Sequence, residues 1–253
     1  MKEIIAFINQ KGGVGKTTSV AGVAAGLQRK GFKTLLIDMD PQGNLSYISQ
    51  ADSSRPGSLE LLLRKSSLGD AIRQTPQGDL IAASQGLAAE GILSDTGKEY
   101  RLREALEGLG DTYDFILIDC PPSLGILAIN ALTAATGIVI PVQADVLSLQ
   151  ALGQFSRTLE AVRRYTNQGL KLYGILLTRY SSRTVLSQEV FQMIEATAGQ
   201  LGTKVFKTPI REAIVVKEAQ AARTDIFTHA PKSNAAQDFE SVTAELLKDL
   251  GSK

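Results

Sequence analysis

The sequence predicts an α/β fold: a doubly wound, mostly parallel sheet of seven or eight strands with helices on both faces. Three observations carry this. A glycine-rich stretch, Asn9-Gln10-Lys11-Gly12-Gly13-Val14-Gly15-Lys16-Thr17-Thr18, joins a short apolar run to an alanine-rich helical pattern. The segment 113–119 is almost unbroken in its apolar character, as expected of a parallel strand covered on both sides. Strand-length runs and helical patterns then keep alternating toward the end of the chain.

In chain order, residues 4–8 form the first strand and residues 20–27 lie in the helix after the glycine loop. Gly31 stops that helix, and residues 33–38 form a second strand, completing a right-handed βαβ unit. Between residues 46 and 112 the pattern is weaker: it suggests helices at 59–64, 68–74 and 101–109 and a strand at 79–83. Further strands are expected at 113–119, 137–141, 170–178 and 204–206. Helices are expected at 147–165, 185–198 and 233–250.

The glycine loop has the chemistry of a phosphate cradle. Gly12, Gly13 and Gly15 free the backbone so that successive N–H groups can converge on one anion. Lys16 adds a mobile charge, Thr17 a hydroxyl suited to magnesium, and the following helix its positive end. Where G-x-x-x-x-G-K-[ST] has its first glycine, this chain has Gln10 followed by Lys11. The second strand ends in Asp38-Met39-Asp40-Pro41-Gln42-Gly43-Asn44, which places two carboxylates where ligands bind in open α/β sheets; Asp40 is equally good turn chemistry. Asp119 ends the 113–119 strand as a Walker B acid would, or caps a following helix.

The chain has 253 residues, 43% hydrophobic and 21% charged, with no linker of low complexity, so one domain over 1–253 is expected. No apolar run approaches the roughly 18 residues of a membrane span. A soluble, unexported, cytoplasmic protein is expected, and the single Cys120 fits a reducing compartment as a buried small residue. The net charge of +1 conceals an asymmetry: residues 151–223 hold 11 Lys and Arg against 5 Asp and Glu. Such a segment suits a polyanion surface or forms a solvated face.

Taken together, Lys11 to Thr18, Asp38 to Asn44, the run Phe115 to Pro122, and Thr208-Pro209-Ile210-Arg211-Glu212 resemble the ParA/Soj proteins, deviant Walker A ATPases that segregate plasmids and chromosomes. The resemblance covers nearly the whole chain. It implies an ATPase with ATP and Mg2+ as cofactors. In this assignment Lys16 holds the β- and γ-phosphates, Thr17 ligates magnesium and Thr18 steadies the α-phosphate, with Gly12, Gly13, Val14 and Gly15 forming the cradle. Asp40 orients the attacking water, and Asp38 and Asp119 act on magnesium through water. Lys11 is the signature lysine, reaching the partner's nucleotide across a homodimer that sandwiches two ATP molecules. Pro209 and its neighbours mark the adenine segment.

The resemblance also implies binding to DNA without sequence preference through Arg183 and Arg211, each alternatively an exposed arginine or a structural ion pair. Lys204, Lys207, Lys217 and Arg223 are weaker candidates. A ParB-like or small basic activator is the expected partner, and a nucleoid-associated location follows. With the loop beginning at residue 9, the helix-turn-helix domain of larger relatives is not expected. One cysteine does not supply an iron–sulfur bridge, and no tyrosine-rich tail is present. Two alternatives remain: a positioner of another cargo on the nucleoid, and a MinD-like positioner on a membrane. The second needs a basic amphipathic helix, whereas residues 233–250 carry mostly acids on their polar face.

Overall fold

The structure, a computed structural model, describes residues 3–52, 54–88, 95–181 and 185–251. Strand β1 (Glu3–Phe7) runs into the glycine loop and helix α1 (Lys16–Arg29), which Gly31 ends at a φ of 88°. Strand β2 (Thr34–Asp38) follows, then the short helices α2 (Asn44–Ile48), α3 (Ser58–Leu62) and α4 (Leu68–Ala71).

At Ala71 the structure departs from the expected helix over 68–74. The chain turns into strand β3 (Ile72–Thr75), antiparallel to β4 (Gly78–Ile81). The reason is a tight turn: Gly78 takes a φ of 104°, and the Thr75 hydroxyl donates to its carbonyl at 2.7 Å. Pro76 cannot continue a helix, and the β-branched ends of the run suit a strand.

Helix α5 (Arg101–Glu107) leads to β5 (Phe115–Asp119), α6 (Ile126–Ala134), β6 (Gly137–Val142), α7 (Val146–Tyr165), β7 (Lys171–Tyr180) and α8 (Val185–Gln200). The expected strand at 204–206 is only an isolated bridge between Ile175 and Val205. Pro209 interrupts the ladder donors there, and the pairing strand is β8 (Ile210–Arg211) instead. Helices α9 (Ile214–Ala221), α10 (Ile226–His229) and α11 (Asn234–Asp249) complete the chain.

One sheet of eight strands results, in the order β3-β4-β2-β5-β1-β6-β7-β8, parallel except for the β3–β4 pair. Helices cover both faces. On one, α5, α6, α7 and α8 bury Leu102, Leu106, Leu132, Phe155 and Ile194; on the other, α1 and α11 bury Val23, Leu27, Phe239 and Leu246. Helix α1 approaches α11 closely because Gly22 has no side chain: a Cβ there would lie 2.4 Å from the Phe239 ring. The registers pair Phe7 and Asp38 with Asp119, so β1, β2 and β5 end level with one another beneath the glycine loop.

Candidate active site

The loop after β1 is open on the side that a phosphate would occupy. A Cβ at Gly12 or Gly13 would meet nothing within 4 Å, and Gly13 and Gly15 take φ values of 75° and 82° that disfavour a side chain. Gly15 caps α1 without a side-chain hydrogen bond, and no acid lies in the first turn. The free N–H groups and positive helix end therefore face the loop, as an anion requires.

Lys16 is 6% exposed, and its ammonium donates to the Lys11 carbonyl at 3.2 Å. Burial lowers its pKa, opposed by Asp119 and Asp40. The Thr17 hydroxyl donates to Asp119 Oδ2 at 2.6 Å, while Asp119 Oδ1 is buried without a partner among the described residues. A hard cation or its water fits that orphaned oxygen beside a hydroxyl, which is the magnesium chemistry of such a site. Burial, then the charge of Asp38, raises the Asp119 pKa well above the carboxylate range, a penalty a divalent ion would remove. The alternative of Asp119 as a helix cap is excluded, since Gly125 occupies that position before α6.

Asp38 is fully buried and strongly engaged: Oδ2 accepts from the Ser46 N–H and hydroxyl at 2.8 and 2.7 Å, and Oδ1 from the Asp40 N–H at 3.1 Å. Burial pushes its pKa up to about 6. These bonds fix the loop that carries Asp40, whose own Oδ1 accepts from the Gln42 N–H at 3.0 Å. Asp40 thus makes the turn and also reaches the site. It lines a cavity of about 340 Å3 together with Gly12, Gly13, Gly15, Lys16, Thr17 and Thr18.

Lys11 lies outside this group of cavity-lining residues. Its ammonium turns away to Asp145 Oδ2 at 2.5 Å, with Ser148 Oγ at 3.5 Å. A second, small cleft adjoins the first, sharing Gly15, Thr18, Arg179 and Gln220 with it. Its far side is formed by Ile210, Arg211, Glu212 and Ala213, the neighbours of Pro209, while Pro209 itself does not line it. Sequence reasoning missed Arg179 and Gln220. Arg179 follows the apolar run of β7 at its carboxyl end, a positional signal, and takes a φ of 48° at a register shift in the ladder. Gln220 donates to the Thr18 hydroxyl at 2.9 Å across 202 residues and left no local sign.

The proposed DNA arginines fare differently. Arg183 lies outside the described residues. Arg211 is in a structural ion pair: Nε and Nη2 both reach the Asp238 carboxylate, the latter at 2.6 Å, and the Asp238 side chain is 4% exposed. Lys204 similarly pairs with Glu245 and Asp249 at 2.6 and 2.7 Å. Lys217 faces Glu212 at 3.7 Å, and Arg223 stacks over Tyr47 at 3.9 Å. Part of the basic excess of this segment is thus neutralised by α11. Arg157, Lys171, Arg179 and Lys207 have no ion pair among the described residues.

An α/β sheet whose first strand feeds a glycine cradle and a lysine, with carboxylates at the neighbouring strand ends, defines a P-loop nucleoside triphosphatase. A family model described as an AAA domain matches residues 2–172. The chromosome-partitioning ATPase Soj of Treponema pallidum is 36% identical over 258 residues and covers 100% of both chains. Its counterpart in Thermus thermophilus is 39% identical, covering 96% of this chain and 94% of that protein. A solved structure of cobyrinic acid a,c-diamide synthase from Mycobacterium smegmatis, with bound ADP and magnesium, superposes with a TM-score of 0.86 at 36% identity, covering 100% and 96% of the two chains. The chain belongs to the ParA/Soj family and is an ATPase.

Proposed function

We propose that this chain is a partition ATPase, in which an ATP-bound sandwich dimer binds DNA without sequence preference and is reset by hydrolysis when a ParB-like or small basic partner stimulates it. The observation that carries this reading is the geometry of one cavity. Lys16, Thr17 and Asp40 share it, while Lys11 points out of it toward Asp145 and would act on a second subunit once released from that pair.

In this reading ATP with magnesium is the cofactor, the ion supplying charge neutralisation between the phosphates. Gly12, Gly13, Val14 and Gly15 present the backbone donors, and Lys16 holds the terminal phosphates. Thr17 and Asp119 hold the magnesium shell. Asp38 acts chiefly by fixing the loop through Ser46 and Asp40, so that the Asp40 carboxylate stays aimed at the site of water attack. Thr18 lies at the neck toward the second cleft, where Ile210 to Ala213 border the nucleoside end. The relatives named for chromosome partitioning support this role.

A nucleoid site of action is favoured over a membrane one by the packing of α11. The apolar face of α11, with Phe239, Val242 and Leu246, is already buried against the sheet, leaving none to enter lipid. Sedimentation with DNA and with anionic liposomes, each with and without ATP, tests this. Binding to DNA only with ATP is the expected result, persisting in Asp40→Ala, which forms the dimer but does not turn over. ATP-dependent liposome binding without DNA binding would overturn it.

A further inference from the structure

We infer that Asp145 is a positioning residue for Lys11: it latches the lysine away from nucleotide in the single subunit, and its release is part of closing the dimer. The inference rests on the shared-site reading above and adds the residue that regulates it.

The backbone at Lys11 is fixed independently of its side chain. Its N–H donates to Asn9 Oδ1 at 2.9 Å, and Asn9 is itself anchored on the Pro141 carbonyl at 2.7 Å. The ammonium can therefore change direction only by swinging about this pivot. It is held by Asp145 Oδ2 at 2.5 Å, in a pair whose side chains are 25% and 37% exposed. The two oxygens of Asp145 divide the work. Oδ1 accepts the Ser148 N–H at 2.9 Å as the cap of α7, and Oδ2 takes Lys11. Nearby, Gln143 donates to the Gly13 carbonyl at 3.2 Å, so the segment entering α7 touches the phosphate loop twice. One ammonium cannot satisfy this carboxylate and a partner's phosphates together; whatever loosens the start of α7 frees Lys11.

The division of labour supplies a clean variant. Asp145→Asn keeps an Oδ1 acceptor, and asparagine caps a helix about as well as aspartate, but the NH2 group that replaces Oδ2 is a donor and cannot accept from the Lys11 ammonium. A half-exposed pair of this kind is worth about two- to fivefold in an equilibrium. Because both subunits release a latch, the dimer equilibrium should shift by about four- to twenty-five-fold. The test is an ATP titration of the full chain with magnesium, read by sedimentation velocity and by hydrolysis. Asp145→Asn should dimerise at ATP concentrations several-fold below those of the unaltered protein. Half-maximal hydrolysis should shift likewise, with kcat not reduced and the melting temperature unchanged. Asp145→Ala should show the same shift but melt earlier, having lost the cap. If the unaltered chain dimerises and Asp145→Asn needs as much ATP or more, the latch is wrong. If the unaltered chain stays monomeric with ATP, the shared site fails and the latch falls with it.

Discussion

At the scale of single residues, two lysines five positions apart have opposite surroundings. Lys16 is buried toward the cavity and Lys11 is turned out of it. Lys16→Ala should abolish ATP binding, measured by calorimetry, because it removes the buried cation that the loop itself presents to the cavity. Lys11→Ala should still bind ATP as a monomer while hydrolysis falls by about a thousandfold or more, the scale of removing a trans-acting cation. Normal turnover of that variant would refute the shared site. Asp38 gives a prediction in pH. Its carboxyl titrates at about 6 in the fold, whereas an unfolded aspartate titrates near 3.9. The folded chain therefore binds more protons between these values, and stability falls as pH rises through that window. Thermal melts without nucleotide or magnesium should show this decline relative to Asp38→Asn, where the Asp38 contribution is absent.

At the scale of elements, the seam between α1 and α11 places the phosphate loop. Helix α1 carries the loop at its start, and its close approach to α11 depends on Gly22. Gly22→Ala sets two effects against each other. Helix propensity gains about 1 kcal/mol, while a methyl against the fully buried Phe239 ring costs about 1–3 kcal/mol by overpacking. The clash is 2.4 Å onto a ring 1% exposed, so it prevails and chemical denaturation should report a net loss. Phe239→Leu in the same chain should recover part of it. The element boundaries follow similar local physics. The alternation of apolar runs made the inner strands legible, because both faces of β5 and β6 are covered. The edges were not: β3 sits where a helical pattern ends, and the two-residue β8 is too short to carry a period.

At the scale of the whole molecule, charge read along the chain differs from charge left on the surface. The basic segment 151–223 donates Lys204 and Arg211 to the acids of α11, so those cations hold the terminal helix. Arg211→Glu would put a carboxylate beside the buried Asp238, and a lower melting temperature is expected before any DNA effect is read. Lys207→Gln avoids this, since Lys207 is exposed, has no ion pair among the described residues and meets Glu245 only through its backbone N–H, so no carboxylate is added beside that acid. It should weaken DNA binding uniformly across sequences and reduce the slope of log affinity against log salt by about 1, as the loss of one phosphate contact does. An unchanged slope would place the DNA surface elsewhere. The glycine loop, its lysines and the strand-end carboxylates were readable from sequence alone because each is a local requirement: backbone freedom, a charge, and the carboxyl end of an apolar run. Only the tertiary structure decided that Asp119 keeps one oxygen free, that Asp38 braces Asp40, that Gln220 meets Thr18 across 202 residues, and that Lys11 is held by Asp145. Those facts depend on which distant side chains the sheet order brings together, and no local pattern encodes a neighbour that the chain reaches only by folding.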